Sequence, residues 1–302
     1  MDLATELCGF KLEHPLMNAA GTCKTLEHVE RLAQSVVPAV VIGSITVDAR
    51  NGNTGNTYTV DPSRAFSLNA LGLPNPGSIY YREHLPEMCE VIRSAGKQTI
   101  VSVAGFSPEQ YAMLTEIAYG CGAALVELNL GCPNVWGDSG QKPIASFYPE
   151  MIEAILQAVY DRLDSTMFGV KLSPFSNPNQ LEEVAETLKL FSSVSFVTTS
   201  NTFPNGFGSN LKGEPALSVE YGGVSGLALK PIALGQVRQL RKALPDSIDI
   251  IGAGGVRTSE DILDYRNAGA TAVQAATAYW NAGENPSIFG DVLADADKYF
   301  DV

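Results

Sequence analysis

The chain has 302 residues, a formal net charge of −13, 45% apolar residues and 18% charged residues, a composition typical of a well-packed globular protein. It contains no run of Lys and Arg that could neutralise phosphates, so we expect no nucleic-acid partner. No stretch approaches the roughly 18 consecutive apolar residues of a membrane span, and the N-terminus lacks a signal-peptide pattern, so we expect a cytoplasmic protein without a membrane partner.

Short β-branched segments alternate with segments of helical periodicity along the chain. This alternation predicts an α/β protein, a (β/α)8 TIM barrel formed by one domain over residues 1–302. An open doubly wound sheet is the alternative, but it would need a GxGxxG motif after the first strand, which residues 18–23 do not provide. The predicted strands are 15–21, 39–46, 98–104, 125–131, 167–172, 195–200, 249–252 and 272–276, and the predicted helices lie near 25–35, 82–95, 108–120, 149–163, 179–192, 231–244, 259–268 and 286–299.

Two connections, 47–77 and 201–230, are too long to be plain loops. They follow the second and the sixth predicted strand. In a barrel both would extend the C-terminal face, where the active sites of this architecture are built. We therefore expect the functional residues to gather at that face.

Cys132 ends a very apolar predicted strand and lies between Asn129 and Asn134. A thiol has a reference pKa of about 8.5 and can accept a proton or attack carbon. Free cysteines are more often half-buried structural residues. We favour a catalytic role because the same segment supplies amides that could orient a small polar ring.

Glycine-rich and hydroxyl-bearing segments follow the last two predicted strands. Gly254 and Gly255 would allow backbone N–H groups to approach an anion, and Thr277 adds a hydroxyl. Loops in these positions commonly bind phosphate in such barrels, here the phosphate of a substrate or of a cofactor.

Lys171 ends the fifth predicted strand and could balance negative charge on a cofactor or form a Schiff base. The alternative is a lysine whose charged end reaches solvent at a strand end.

Several asparagines fall at predicted strand ends or in the upper loops. A single asparagine there is usually a turn or cap residue. Several at one mouth favour recognition of a ring with alternating C=O and N–H groups, such as a pyrimidine. These residues are Asn18, Asn69, Asn129, Asn134 and Asn201.

The five cysteines are scattered and have no CxxC spacing, and the three histidines form no HExxH motif. These patterns disfavour a disulfide framework, a zinc site and an iron–sulfur cluster, so we predict no metal. No GxSxG motif supports a Ser-His-Asp triad.

Five segments together resemble the class 1 dihydroorotate dehydrogenases, most closely the soluble class 1A branch. They are His-Pro-Leu-Met-Asn-Ala-Ala-Gly (14–21), Ser-Leu-Asn-Ala-Leu-Gly-Leu-Pro-Asn (67–75), Leu-Asn-Leu-Gly-Cys-Pro-Asn-Val (128–135), Gly-Val-Lys-Leu-Ser-Pro (169–174) and Ile-Ile-Gly-Ala-Gly-Gly (250–255). The resemblance runs nearly end to end and implies a (β/α)8 barrel that carries FMN.

The resemblance also implies the site residues. The FMN phosphate would be held by Gly226, Gly254, Gly255, Ala276 and Thr277. The isoalloxazine ring and ribityl chain would be held by Ala20, Gly21, Ser44, Asn129 and Lys171. The pyrimidine substrate would be held by Asn69, Asn129, Asn134, Asn201 and Thr202.

The implied reaction is the oxidation of dihydroorotate to orotate in pyrimidine biosynthesis. Cys132 would take a proton from C5 of the substrate while a hydride leaves C6 for flavin N5, and Lys171 would stabilise the anionic reduced ring. A homodimer that passes electrons to fumarate or another small acceptor is implied as well. An iron–sulfur centre, as in class 1B, would have to come from another subunit.

The chain departs from the class 1A pattern at Gly43, where that class has a lysine. Gly43-Ser44-Ile45-Thr46 is more similar to class 2, and Lys24 likewise stands where class 2 has a lysine. We therefore hypothesise that Lys24 replaces the missing charge and binds the substrate. Gly131 stands where class 1A has serine, and the loop after Asn134 carries Trp136.

The sequence leaves two alternatives open. One is a dehydrogenase of another dihydropyrimidine, such as dihydrouracil, which lacks the carboxylate of dihydroorotate. The other is a flavin- or phosphate-binding barrel without turnover, in which Gly43 has removed an essential charge.

Overall fold

The computed structural model describes residues 3–61, 63, 65–137, 140–164, 166–210 and 212–300. The strands in chain order are β1 (Thr5–Leu7), β2 (Phe10–Leu12), β3 (Leu16–Asn18), β4 (Ala39–Ile45), β5 (Tyr58–Val60), β6 (Ser67–Asn69), β7 (Gln98–Val103), β8 (Leu125–Asn129), β9 (Trp136–Gly137), β10 (Gly140–Gln141), β11 (Phe168–Leu172), β12 (Val194–Thr199), β13 (Phe203–Phe207), β14 (Tyr221–Ser225), β15 (Asp249–Ala253) and β16 (Ala272–Ala275).

The helices confirm most of the predicted helical segments. They are α1 (Leu26–Ala33), α2 (Gly77–Ser94), α3 (Pro108–Gly120), α4 (Pro149–Leu163), α5 (Pro178–Lys189), α6 (Lys230–Ala243), α7 (Ser259–Ala268), α8 (Thr277–Asn281), α9 (Ser287–Leu293) and α10 (Asp297–Phe300). The prediction of one helix over 286–299 was wrong, because two short helices, α9 and α10, occupy that segment. The short helix α8 was not predicted.

Eight parallel strands form the predicted TIM barrel. Their hydrogen-bonded order is β3-β16-β15-β12-β11-β8-β7-β4, with helices of the intervening segments packed outside. Strands such as β8 and β11 are buried at every residue, because one face meets the helices and the other faces the barrel interior. All eight predicted strands are confirmed to within a few residues.

The barrel closes between β3 and β4 through a side chain. The amide of Asn18 donates to the carbonyl oxygen of Val41 at 2.8 Å, and its oxygen accepts from the N–H of Val41 at 2.9 Å. Just beyond, the N–H of Gly43 donates to the carbonyl of Cys23 at 2.8 Å. The Asn18 amide therefore takes the place of a peptide unit between these two strands.

The two ends of the barrel differ in polarity. At the N-terminal end, the β1–β2 hairpin places Leu7 and Leu12 in a buried apolar cluster with Met17, Val41 and Phe196. Polar side chains face the interior nearer the other end. The carboxyl ends of the strands are therefore the end where a polar ligand could be bound.

The long connections contain regular structure that the sequence did not reveal. Strands β5 and β6 from 47–77 pair with β13 and β14 from 201–230 in a four-stranded antiparallel sheet, in the order β13-β14-β6-β5. This covering sheet has its own small buried cluster of Leu68, Ala70 and Leu217. It lies over the carboxyl ends of the barrel strands, so both connections contribute to one mouth.

We expect Asn18→Leu to lower the free energy of unfolding by about 2–4 kcal/mol. The change keeps the branched shape of the side chain but leaves the N–H and C=O of Val41 without a partner in a buried position. Urea denaturation followed by circular dichroism measures the loss. Met17→Leu, a volume-conserving change on the same strand, should cost less than about 1.5 kcal/mol. Equal losses in the two variants would contradict a special role for the Asn18 amide.

Candidate active site

A cavity opens between the carboxyl ends of the barrel strands and the covering sheet. The space between its walls, with the open mouth included, is about 1240 Å³. The residues that the family resemblance and the Lys24 hypothesis assigned to catalysis and binding all line the cavity: Ala20, Gly21, Lys24, Ser44, Asn69, Asn129, Cys132, Asn134, Lys171, Asn201, Thr202, Gly226, Gly254, Gly255, Ala276 and Thr277.

Cys132 lies just past the end of β8, half-buried in the cavity wall. Burial raises the pKa of its thiol to about 11, while a hydrogen bond with the backbone of Asn134 and the charges of Arg50 and Lys171 oppose the rise. At neutral pH the group is therefore a thiol. Its thiolate, once formed, is a strong base beside two cations.

One pair of asparagines connects three barrel strands at the cavity floor. The amide of Asn201 donates to the side-chain oxygen of Asn129 at 3.0 Å, and the amide of Asn129 donates to the hydroxyl of Ser44 at 2.8 Å. The Ser44 hydroxyl in turn lies 2.9 Å from that of Ser102. These contacts fix the orientation of the Asn129 amide.

A second pair joins the covering sheet to the loop after β8. The amide of Asn134 donates to the side-chain oxygen of Asn69 at 2.7 Å. Asn69 donates to the carbonyl of Gly223 at 3.2 Å, and Asn53 donates to the carbonyl of Asn134 at 3.2 Å. Four of the five predicted asparagines thus meet at one cavity.

Asn18 is the exception, and its assignment to the mouth was wrong. The residue is fully buried, and its amide is used by Val41 and by the hydroxyl of Thr22. It belongs to the barrel closure. Its position at a strand end is shared with the binding asparagines, so the sequence alone could not separate the two roles.

Lys171 points into the barrel. It is 5% exposed, and its ammonium donates to the side-chain oxygen of Gln274 at 3.0 Å. The alternative of a lysine that reaches solvent was therefore wrong. A buried ammonium at the cavity floor is placed to stabilise negative charge on a bound ligand.

The predicted anion site is formed by glycines with positive φ angles. Gly226, Gly254 and Gly255 have φ values of +82°, +132° and +73°. A Cβ on Gly255 would lie 2.9 Å from the carbonyl oxygen of Gly226, so the loops after β14 and β15 touch. The N–H of Gly255 donates to no described residue. A capping box of Thr258 and Asp261 starts α7 directly after this loop.

Some polar atoms lining the cavity have no partner in the described part of the chain. The hydroxyl of Thr202 and the indole N–H of Trp280 are buried without a hydrogen bond. Gly21 also lines the cavity, and a Cβ there would have nothing within 4 Å. Buried polar groups are rarely left unpaired, so these features fit a bound polar ligand.

Lys24 lies beside Gly43, as required by the hypothesis that Lys24 replaces the charge missing at Gly43. The residue follows Cys23, which is hydrogen-bonded to Gly43, and it lines the cavity. Burial lowers the pKa of Lys24, and the charge of Glu284 partly offsets this. At Gly43 itself φ is +112° and a Cβ would lie 2.3 Å from the carbonyl oxygen of Ser102, so no side chain fits there.

Several lining residues were missed by the sequence analysis. Gln274 lies in an otherwise apolar strand. The isolated amide in that strand is the sequence signal that could have identified it. Tyr58 and Trp280 form an edge-to-face pair with centroids 4.9 Å apart, brought together by the covering sheet. Arg257 lies in the loop with the glycines. The loop after Asn134 is described only in part, since residues 138–139 lie outside the described residues.

Two general findings concern metals and membranes. Within the described ranges, no group of three or more His, Cys, Asp or Glu is placed to hold a metal ion. In the same ranges, no helix has the length and apolarity needed to cross a membrane.

The comparison with known proteins agrees with the geometry. A family model described as dihydroorotate dehydrogenase matches residues 2–297. Dihydroorotate dehydrogenase A (fumarate) of Lactococcus lactis subsp. cremoris strain MG1363 is 33% identical over 301 residues, which cover 98% of this chain and 93% of that protein. The protein of the same name from L. lactis subsp. lactis strain IL1403 is 33% identical over 305 residues, covering 99% and 94%.

Alkylation of Cys132 by iodoacetamide should accelerate about tenfold per pH unit between about pH 7 and pH 10. The thiolate is the nucleophile, and the pKa of Cys132 is raised to about 11, so the thiolate fraction keeps growing over this range. Mass spectrometry of the Cys132 peptide measures the rate. The rate for glutathione, run in parallel, should level off near its ordinary pKa. A plateau for Cys132 at the same pH would contradict the desolvation of its thiol.

Proposed function

The chain belongs to the dihydroorotate dehydrogenase family, and we propose that it oxidises (S)-dihydroorotate to orotate, with FMN as cofactor and fumarate or another small molecule as electron acceptor. The observation that carries this proposal is the meeting of Cys132, four asparagines and Lys171 in one cavity. A base, amide groups for a pyrimidine ring and a cation are the three parts that the reaction needs.

FMN fits the residues present. Gly255 and Arg257 follow β15, Thr277 follows the neighbouring strand β16, and all three line the cavity. The N–H of Gly255, which has no partner among the described residues, the Thr277 hydroxyl and the Arg257 guanidinium would give a phosphate donors and positive charge. The open space in front of Gly21 leaves room for a flat ring. FMN supplies a hydride acceptor when it is bound, and the protein supplies binding, orientation and charge.

Cys132 is the group that would remove the proton from C5 of the substrate. Its raised pKa makes the thiolate scarce at neutral pH but strongly basic. Arg50 and Lys171 favour the thiolate by their charge. We therefore expect the rate of substrate oxidation to rise with pH below about 11, since only the thiolate accepts a proton.

The asparagines would hold the pyrimidine ring by its alternating C=O and N–H groups. Asn129 and Asn201 orient each other on the barrel side, and Asn69 and Asn134 do so on the side of the covering sheet. The unpartnered hydroxyl of Thr202 adds a further donor or acceptor. Such fixed amides bind a ring without a large cost of ordering side chains.

We also propose that the protein is a cytoplasmic homodimer. The resemblance to the class 1A enzymes supports both properties. A fumarate-linked reaction is supported by the names of the Lactococcus relatives, which are dihydroorotate dehydrogenases A (fumarate).

Anaerobic addition of dihydroorotate should bleach the flavin absorbance of the purified protein. Cys132→Ala should keep the flavin but slow bleaching by about 10²–10⁴-fold, the usual contribution of a general base. Stopped-flow absorbance gives the rates, and Cys121→Ala, at a half-buried cysteine outside the cavity, is the matched control.

The outcomes of this experiment separate the candidate functions. Bleaching by dihydrouracil but not by dihydroorotate would show that the substrate is another dihydropyrimidine. A yellow protein that responds to neither would favour a flavin-binding barrel without turnover. If the flavin of Cys132→Ala bleaches at the parent rate, the thiol is not the general base.

Lys24→Met should weaken dihydroorotate binding about tenfold or more. A charge-assisted contact with the substrate carboxylate contributes roughly 1.5–3 kcal/mol, and Gly43 has no room for a compensating side chain. Titration of the oxidised protein with orotate, followed by the flavin spectrum, measures the affinity of the product, which carries the same carboxylate.

Lys24→Arg keeps the charge and should retain most of the affinity. Lys212→Met, at an exposed lysine, should leave it unchanged. If Lys24→Met binds orotate as tightly as the parent, Lys24 does not contact the carboxylate, and a substrate without a carboxylate becomes the better candidate.

A further inference from the structure

A carboxylate lies inside the barrel directly beneath the proposed site. Glu127 is fully buried and stands two residues before Asn129 on β8, so both side chains point to the same face of the strand. On the neighbouring strand, Gly169 pairs with Glu127 and Lys171 pairs with Asn129. Glu127 is thus one layer below Lys171, and nothing in the proposed reaction uses it.

A chain of hydrogen bonds connects this carboxylate to Lys171. The Lys171 ammonium donates to Oε1 of Gln274 at 3.0 Å, and Nε2 of Gln274 donates to Oε2 of Glu127 at 3.1 Å. Thr198 donates its hydroxyl to the same carboxylate oxygen at 2.7 Å. All four residues are buried.

The other oxygen of Glu127 is an unusual feature. Oε1 is buried and has no hydrogen-bond partner among the described residues. A buried carboxylate is costly to keep, and an isosteric neutral residue would be less so. A glutamate at a buried position that an isosteric glutamine could fill therefore points to a role beyond filling the barrel.

The donor and acceptor groups of Glu127, Gln274 and Lys171 indicate what that role is. The side-chain amide of Gln274 has a donor end and an acceptor end, whereas a carboxylate only accepts. Glu127 therefore selects the orientation in which Gln274 turns its oxygen towards Lys171. With a neutral amide at position 127, Gln274 could turn its NH2 group to Lys171 and repel the ammonium.

We propose that Glu127 is a positioning residue for Lys171. Through Gln274 it fixes the ammonium at the cavity floor, and its negative charge lowers the positive potential that Lys171 presents to the cofactor. The inference rests on the proposed function, since it takes FMN as the group above Lys171. It identifies a determinant of flavin potential that lies outside the cavity wall.

Glu127→Gln should make the flavin easier to reduce and more reactive towards sulfite. Both the reduced flavin and its sulfite adduct carry added negative charge, which the loss of a nearby carboxylate favours. We expect sulfite to bind roughly tenfold more tightly. This is the effect expected from removing one charge at about 10 Å when the effective dielectric constant is near 20. Spectral titration of the holoprotein with sulfite measures this, and the midpoint potential should rise in parallel.

Thr198→Val is the matched control. It removes the other hydrogen bond to the same carboxylate oxygen but leaves every charge in place. Its sulfite affinity should stay within about twofold of the parent. A shift as large as that of Glu127→Gln would show that any disturbance of the buried network alters the flavin, and would overturn the proposal.

The double variant Glu127→Gln/Gln274→Glu tests the charge in a fully bonded network. Lys171 can donate to the introduced carboxylate, the introduced amide can donate to it as well, and Thr198 can donate to the amide oxygen. The carboxylate then lies closer to Lys171, so sulfite should bind as in the parent or more weakly. If Glu127→Gln alone does not fold, the sulfite affinity of this double variant tests whether the buried charge controls the flavin.

Sulfite affinity in Glu127→Gln equal to that of the parent, or tighter binding in the double variant, would overturn the proposal. Dihydroorotate takes no part in these measurements. A parent protein that binds FMN but ignores dihydroorotate would therefore refute the proposed substrate and leave this test unaffected.

Discussion

The hydrogen bonds between Asn18 and Val41 are the interaction on which the site depends. Strands β3 and β4 are the two ends of the parallel sheet, and the Asn18 amide joins them where no backbone ladder does. This closure brings the loop with Gly21 and Lys24 to the same rim as Ser44 and Asn129. An open sheet would hold these residues on opposite edges.

Burial has a consistent effect on the charges around the cavity. It raises the pKa of Cys132 and lowers that of Lys24, so both groups are pushed towards their neutral forms. Lys171, Lys24 and Arg257 nevertheless place cationic groups around one cavity in a protein of net charge −13. Their arrangement suits a ligand that brings its own negative charge, such as a phosphate or a carboxylate.

Polar groups inside the barrel are connected in layers. Asn129, Asn201 and Ser44 form the upper layer, and Lys171 leads through Gln274 to Glu127 below. Because few partners are available in a buried lumen, each side chain constrains the orientation of the next. The polar groups at the cavity floor are therefore oriented by hydrogen bonds before a ligand arrives, which reduces the cost of orienting one.

The sequence by itself determined the barrel, because the alternation of strands and helices and the apolar character of β8 or β11 are local properties. It also placed Cys132 and Lys171 at the correct end, since carboxyl ends of parallel strands share one rim. Only the tertiary structure decided which polar residue serves which purpose. Asn18 and Asn129 both end strands, yet one closes the barrel and the other lines the cavity. The pairing of β5 and β6 with β13 and β14, and the contact of Glu127 with Gln274 across 147 residues, likewise depend on segments distant in the chain, and no local pattern encodes such distances.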